Sequence, residues 1–75
     1  MLMLVDEEYV TLTYTWCGNN EYGSFYNLNA AKLNCSNDSN CGGVFDQHGN
    51  YFQLCEIGAI EDLNRDWCVY KKQSK

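Results

Sequence analysis

The chain has 75 residues, ten acidic against five basic, and a formal net charge of −5. At 45% hydrophobic and 15% aromatic it is too apolar for a disordered segment, and a single domain of this size buries only roughly 60% of its unfolded surface. With no basic stripe, nucleic acid is not an expected partner, and Lys71, Lys72 and Lys75 read as a solvated end.

The start MLMLVDEE lacks the basic leader of a signal peptide, and its five apolar residues are too short to span a membrane. No membrane insertion is expected. Residues 1–8 read as an arm. Met1, Leu2, Met3, Leu4 and Val5 either pack on a neighbouring subunit by strand addition or fold back on their own domain. Residues 9–16, YVTLTYTW, alternate strictly and predict a strand, with Val10, Leu12, Tyr14 and Trp16 on one face and Tyr9, Thr11, Thr13 and Thr15 on the other. CGNNEYGS reads as a turn-rich connection. Asn27 is a suitable N-cap for a short helix, LNAAKLNC, whose Leu28, Ala31 and Cys35 share one face. The run SNDSN stops that helix.

CGGVFDQHGNYFQLC predicts a β-hairpin with strands near 42–46 and 51–55 and a tip near Gln47–Asn50. Gly42 and Gly43 point to a bulge or to the close approach of another backbone. EIGAIEDLNRD fits one or two helical turns or a folded loop, and WCVYK a closing strand. The expected fold is α+β: one short helix packed on an antiparallel sheet, forming a single domain over residues 9–75.

Five cysteines, Cys17, Cys35, Cys41, Cys55 and Cys68, predict a disulfide framework and therefore an extracellular, secreted or particle-surface location. The odd count leaves a thiol over or pairs it with another chain. The ordered series LNAAKLNCSNDSNCGGVFD, YFQLC and WCVYKK, with WCGNNEYGSFYNL upstream, resembles the PAN/apple-like domains across about residues 14–72. The chain departs from that pattern at Ala31 and at Gln47, His48 and Gly49, where many members carry a further cysteine. The resemblance implies a Cys17–Cys68 bridge joining the outer strands and a short Cys35–Cys41 bridge, which leaves Cys55 as the unpaired thiol. Cys35–Cys55 and Cys41–Cys55 stand as alternatives. It also implies a non-enzymatic binding and adhesion module for protein or glycan ligands. A structural subunit of a filament, coat or virion surface, assembling as a homo-oligomer through the arm and sheet edges, is the second expectation.

The chemistry of other sites is weak in the sequence. Cys35, Cys41, His48 and Cys55 supply a Cys3His set but lack the knuckle spacing of a zinc site, so no metal or cofactor is expected. One histidine and one unpaired cysteine show no oxyanion loop or orienting group, so no catalysis is expected. Asn37-Asp38-Ser39 matches the N-glycosylation pattern in a predicted exposed turn, whereas Asn34-Cys35-Ser36 falls in the packed helix. Among the aromatic residues, Tyr22, Phe25 and Tyr51 lie in or near loops and are the expected ligand contacts.

Overall fold

A computed structural model describes residues 9–47 and 51–73. The arm residues Met1, Leu2, Met3, Leu4 and Val5 and the hairpin-tip residue His48 lie outside the described residues. In chain order the elements are β1 (Tyr9–Thr13), β2 (Thr15–Trp16), β3 (Glu21–Phe25), α1 (Leu28–Ser36), β4 (Cys41–Asp46), β5 (Phe52–Glu56), β6 (Glu61–Asp62) and β7 (Cys68–Lys72). A five-stranded sheet runs β1-β7-β4-β5-β3, antiparallel at every pairing, and β2 pairs with β6 in a separate two-stranded sheet. This is the expected α+β arrangement.

Helix α1 forms where the sequence signals it. Asn27 is extended and its Oδ1 accepts from the Ala30 N–H at 3.0 Å, a cap contributing about 1 kcal/mol. Ala31 and Cys35 are fully buried against the sheet, where small side chains allow close packing. The hairpin β4–β5 carries the expected irregularity: its register shifts between Cys41 and Gly43. Gly43 is also the close approach. A Cβ there would sit 2.8 Å from the Tyr70 carbonyl oxygen and 3.1 Å from Val69 Cγ1.

The sequence reading fails at two elements and is decided at a third. The strand expected over 9–16 breaks at Tyr14, which has φ +56°. Thr15 Oγ1 donates to the Leu12 carbonyl, and the chain leaves β7 to pair with β6 instead. The facial assignment fails with it, because Thr15 is buried while Tyr14 and Val10 are exposed. The supposed turn at 17–24 contains β3, an edge strand bonded to β5 with an irregularity between Tyr22 and Phe25. Residues 57–67 form the loop of the two alternatives left open, not helical turns: a turn at Gly58 with φ +82°, then the short strand β6.

The sheet separates two apolar clusters. On the helix face Ala31, Cys35, Cys41, Val44, Phe52 and Leu54 pack together with the partly buried Tyr9, Tyr22, Phe25, Leu28 and Tyr70. On the opposite face Cys17, Phe45, Cys55 and Val69 pack with Trp16, Ile60 and Trp67. Phe45 and Trp67 meet edge to face at 5.6 Å between centroids.

Alternation along β7 decides the disulfides. Val69 lies in the cluster that contains Cys17, so its neighbour Cys68 faces the helix side and cannot reach Cys17 through the sheet. Cys17 instead bonds Cys55, on the same face, with Cα atoms 5.3 Å apart. Cys68, not Cys55, is the free thiol, which corrects the pairing implied by the resemblance. The Cys35–Cys41 bridge is present as implied, with Cα atoms 5.2 Å apart. Loop entropy assigns ~4 kcal/mol to the bridge spanning 38 residues and ~2 kcal/mol to the one spanning 6.

Candidate functional site

The sheet presents chemistry at its two ends. At the end where β3 stops and β5 starts, Tyr26 and Tyr51 face one another with centroids 5.7 Å apart and planes tilted by 49°. Tyr26 is 75% exposed, and the Tyr51 hydroxyl lies 3.1 Å from Ser24 Oγ. Tyr26 sits there because the chain must turn from an edge strand into the helix cap at Asn27. Two tilted rings with two hydroxyls beside them make an open aromatic cleft. Such a cleft offers large contact area at low entropy cost.

The three aromatic residues expected from the sequence divide. Tyr51 belongs to this pair. Phe25 packs against the helix-face cluster instead. Tyr22 also packs there, and its hydroxyl donates to Asp38 Oδ2 at 2.6 Å. Burial first, then the Asp38 carboxylate, pushes the Tyr22 phenol up to about 12. The same bond, with the Asn40 N–H on Oδ1, holds the Asp38 carboxyl below its ordinary value. Sequence reasoning passed over Tyr26, whose position just before the cap residue was the available signal.

At the other end of β5, the turn Ile57–Gly58 borders a groove of about 680 Å³ at the end of the sheet, lined also by Ser39 and Cys41. Leu12, Ile57 and Ile60 supply apolar lining, with Glu61 and Asp62 of β6 and Lys71 of β7 around it. Ile57 is 65% exposed. A second depression of about 380 Å³, shared at Ile57, is lined by Tyr22, Asp38, Asn40 and Glu56.

Lys72 points to the helix side of the sheet and closes the end of α1. Its ammonium donates to the carbonyls of Cys35 at 2.6 Å, Asp38 at 3.0 Å and Cys41 at 3.2 Å. Lys32 lies over the rings of Tyr9 and Tyr70, 5.4 and 5.1 Å from their centroids.

The thiol of Cys68 is half-buried, 4.0 Å from Asp46 Oδ2, which also accepts from the Tyr70 hydroxyl at 3.4 Å. Burial first, then the Asp46 charge, pushes the thiol pKa up, which is the wrong direction for a nucleophile. Cys35, Cys41 and Cys55 are all in disulfides, and among the described residues no group of three or more His, Cys, Asp or Glu could hold a metal ion. Asn37, the glycosylation candidate, is exposed at the helix C-cap with its backbone N–H on the Leu33 carbonyl. Among the described residues no helix is long and apolar enough to cross a membrane.

The chain matches no protein-family model, no curated protein and no solved structure.

Proposed function

We propose that this domain is a non-enzymatic, PAN/apple-like binding module that works outside the cell and holds a protein or glycan ligand. The observation carrying this reading is the exposed Tyr26 paired with the half-buried Tyr51, with Ser24 beside them. Aromatic rings present flat apolar faces, and the neighbouring hydroxyls supply hydrogen bonds to a polar ligand. The two disulfides are compatible with an oxidising, extracellular location. The test is binding of the oxidised protein to a glycan array and to cell-surface protein extracts, compared with Tyr26→Ala. Retained ligand that Tyr26→Ala releases supports the reading. Equal binding by both proteins refutes the aromatic pair as the contact.

A second reading has its own observation: β1 and β3 are the outer strands of the five-stranded sheet. An open edge is a template for strand addition. The module then serves as a subunit of a filament, coat or virion surface, with the arm Met1–Val5 joining neighbours. Deleting residues 1–8 should lower the oligomeric state on size-exclusion chromatography, and an unchanged state rejects this reading.

A further inference from the structure

The groove at Ile57 stands apart from the aromatic pair, at the far end of β5, roughly 20 Å along the strand from Tyr51. Three observations converge on it. Its volume, about 680 Å³, falls in the size range of ligand sites. Ile57 projects from the turn 65% exposed, between the groove and the smaller depression. Carboxylates flank it on both sides: Glu61 and Asp62 along the groove, Glu56 and Asp38 along the depression.

Glu56, Glu61 and Asp62 are exposed, whereas Asp38 is held by Tyr22 and Asn40. Of the two lysines lining the groove, Lys72 turns its ammonium onto the carbonyls of Cys35, Asp38 and Cys41, and Lys71 is exposed. The groove is lined by Glu61 and Asp62 and by two lysines, but Lys72 is engaged with backbone carbonyls and Glu56 lies exposed beside Ile57. The exposed charge around Ile57 is therefore acidic on balance and complements a basic segment. We infer that this groove docks an extended basic–aliphatic segment of a partner protein, its aliphatic side chain covering Ile57 and its basic side chains meeting Glu61 and Asp62. Lys71, the exposed lysine of the lining, then sets direction, by meeting a carbonyl or an acid of the same segment. Charge steering of this kind favours basic partners in the encounter and weakens with salt.

The test uses the full oxidised chain and a fluorescein-labelled Lys-Leu-Lys-Val-Lys peptide, followed by anisotropy, with amide shifts mapped by NMR. Saturable binding that weakens with added salt and moves the amide signals of Gly58 and Glu61 is the expected result. Ile57→Ser should weaken it about tenfold, the loss of one covered aliphatic side chain. Glu61→Gln with Asp62→Asn should weaken it at low salt and remove most of the salt dependence. Both changes are at exposed positions, and an unchanged amide spectrum elsewhere verifies the fold. Equal affinity for a Glu-Leu-Glu-Val-Glu or Gly-Leu-Gly-Val-Gly peptide, full affinity in Ile57→Ser, or no binding up to about 1 mM overturns the inference. Tyr26→Ala separates it from the proposed function: that variant should lose the glycan or protein ligand and keep the peptide.

Discussion

Replacing Lys72 by Met tests whether a cation from the sheet holds the end of the helix. Helix α1 carries no basic residue in its own last turn, so its C-terminal carbonyls depend on a donor from elsewhere. Lys72 supplies one, with three contacts between 2.6 and 3.2 Å. Hydrogen bonds to a charged group contribute about 1.5–3 kcal/mol each, but the sum overstates the loss. The Cys35 carbonyl also accepts from the Asp38 N–H at 3.1 Å, and the Asp38 carbonyl from the Cys41 N–H at 3.0 Å, so neither is orphaned. The ammonium is half-buried, and water can replace part of what it gives.

The net cost of Lys72→Met is therefore about 2 kcal/mol, with methionine retaining the apolar stem. For a domain of this size that lowers Tm by about 8–16 °C. The assay is thermal unfolding of the oxidised protein by circular dichroism near neutral pH. Lys71→Met is the control, because that lysine is exposed and should change stability by less than about 0.5 kcal/mol. A Lys72→Met protein melting within about 3 °C of the parent refutes the argument.

Three further outcomes follow from the same geometry. Alkylation of the folded, non-reduced protein should add one group, on Cys68, and Asp46→Asn should speed it by removing the neighbouring charge that raises the thiol pKa; a label on Cys55 instead would reject the Cys17–Cys55 bridge. Gly43→Ala places a methyl 2.8 Å from the Tyr70 backbone and should cost about 3 kcal/mol, whereas Gly58→Ala meets nothing within 4 Å and should cost only the ~1 kcal/mol of its φ of +82°, a contrast that urea denaturation resolves. Tyr22 and Tyr70 both hold their protons up to about 12 in the fold against 10.0 outside it, so their contribution is full below pH 10 and is lost as pH rises toward 12; Tyr22→Phe should flatten that alkaline decline, and an unchanged pH profile would count against the Tyr22–Asp38 bond.

What the sequence disclosed was local. The Asn27 cap, the Leu28–Ala31–Cys35 face and the glycine pair at 42–43 each act through neighbours a few residues away, and each is found in the structure. What it concealed was set by tertiary pairing. Nothing in YVTLTYTW marks Tyr14 as the break, because the break exists to let Thr15 and Trp16 reach β6, over forty residues downstream. EYGSF lacks the apolar alternation of a strand because it is an edge, with Tyr22 turned inward and Gly23 and Ser24 exposed. The disulfides depend on which sheet face each cysteine occupies, and one residue of parity separates Cys68 from the cluster around Cys17. The candidate contacts show the same division. Tyr51 was legible as an aromatic near a loop, but its pairing with Tyr26 and the groove at Ile57 exist only through the fold.

The order of the sheet also separates the two surfaces by the strand pairings each requires. The Tyr26–Tyr51 pair needs β3 beside β5, and Cys17–Cys55 anchors that pairing from the residue just after β2 to a residue within β5. The Ile57 groove draws Leu12 from β1 and Lys71 from β7, so it requires pairing of strands from opposite ends of the described chain, with Tyr9 opposite Lys72. That pairing closes the longer loop of the two, at an extra entropy cost of only about 0.6 kcal/mol per doubling of length. The bridge across 38 residues shortens that loop in the oxidised chain and is absent from the reduced one. Reduction therefore acts on the groove through the assembly of β1 and β7 and on the aromatic cleft through the anchoring of β5. The basic-peptide binding inferred for the groove is accordingly tied to the completed sheet, whereas the ligand binding proposed for Tyr26 is tied only to its β3–β5 side.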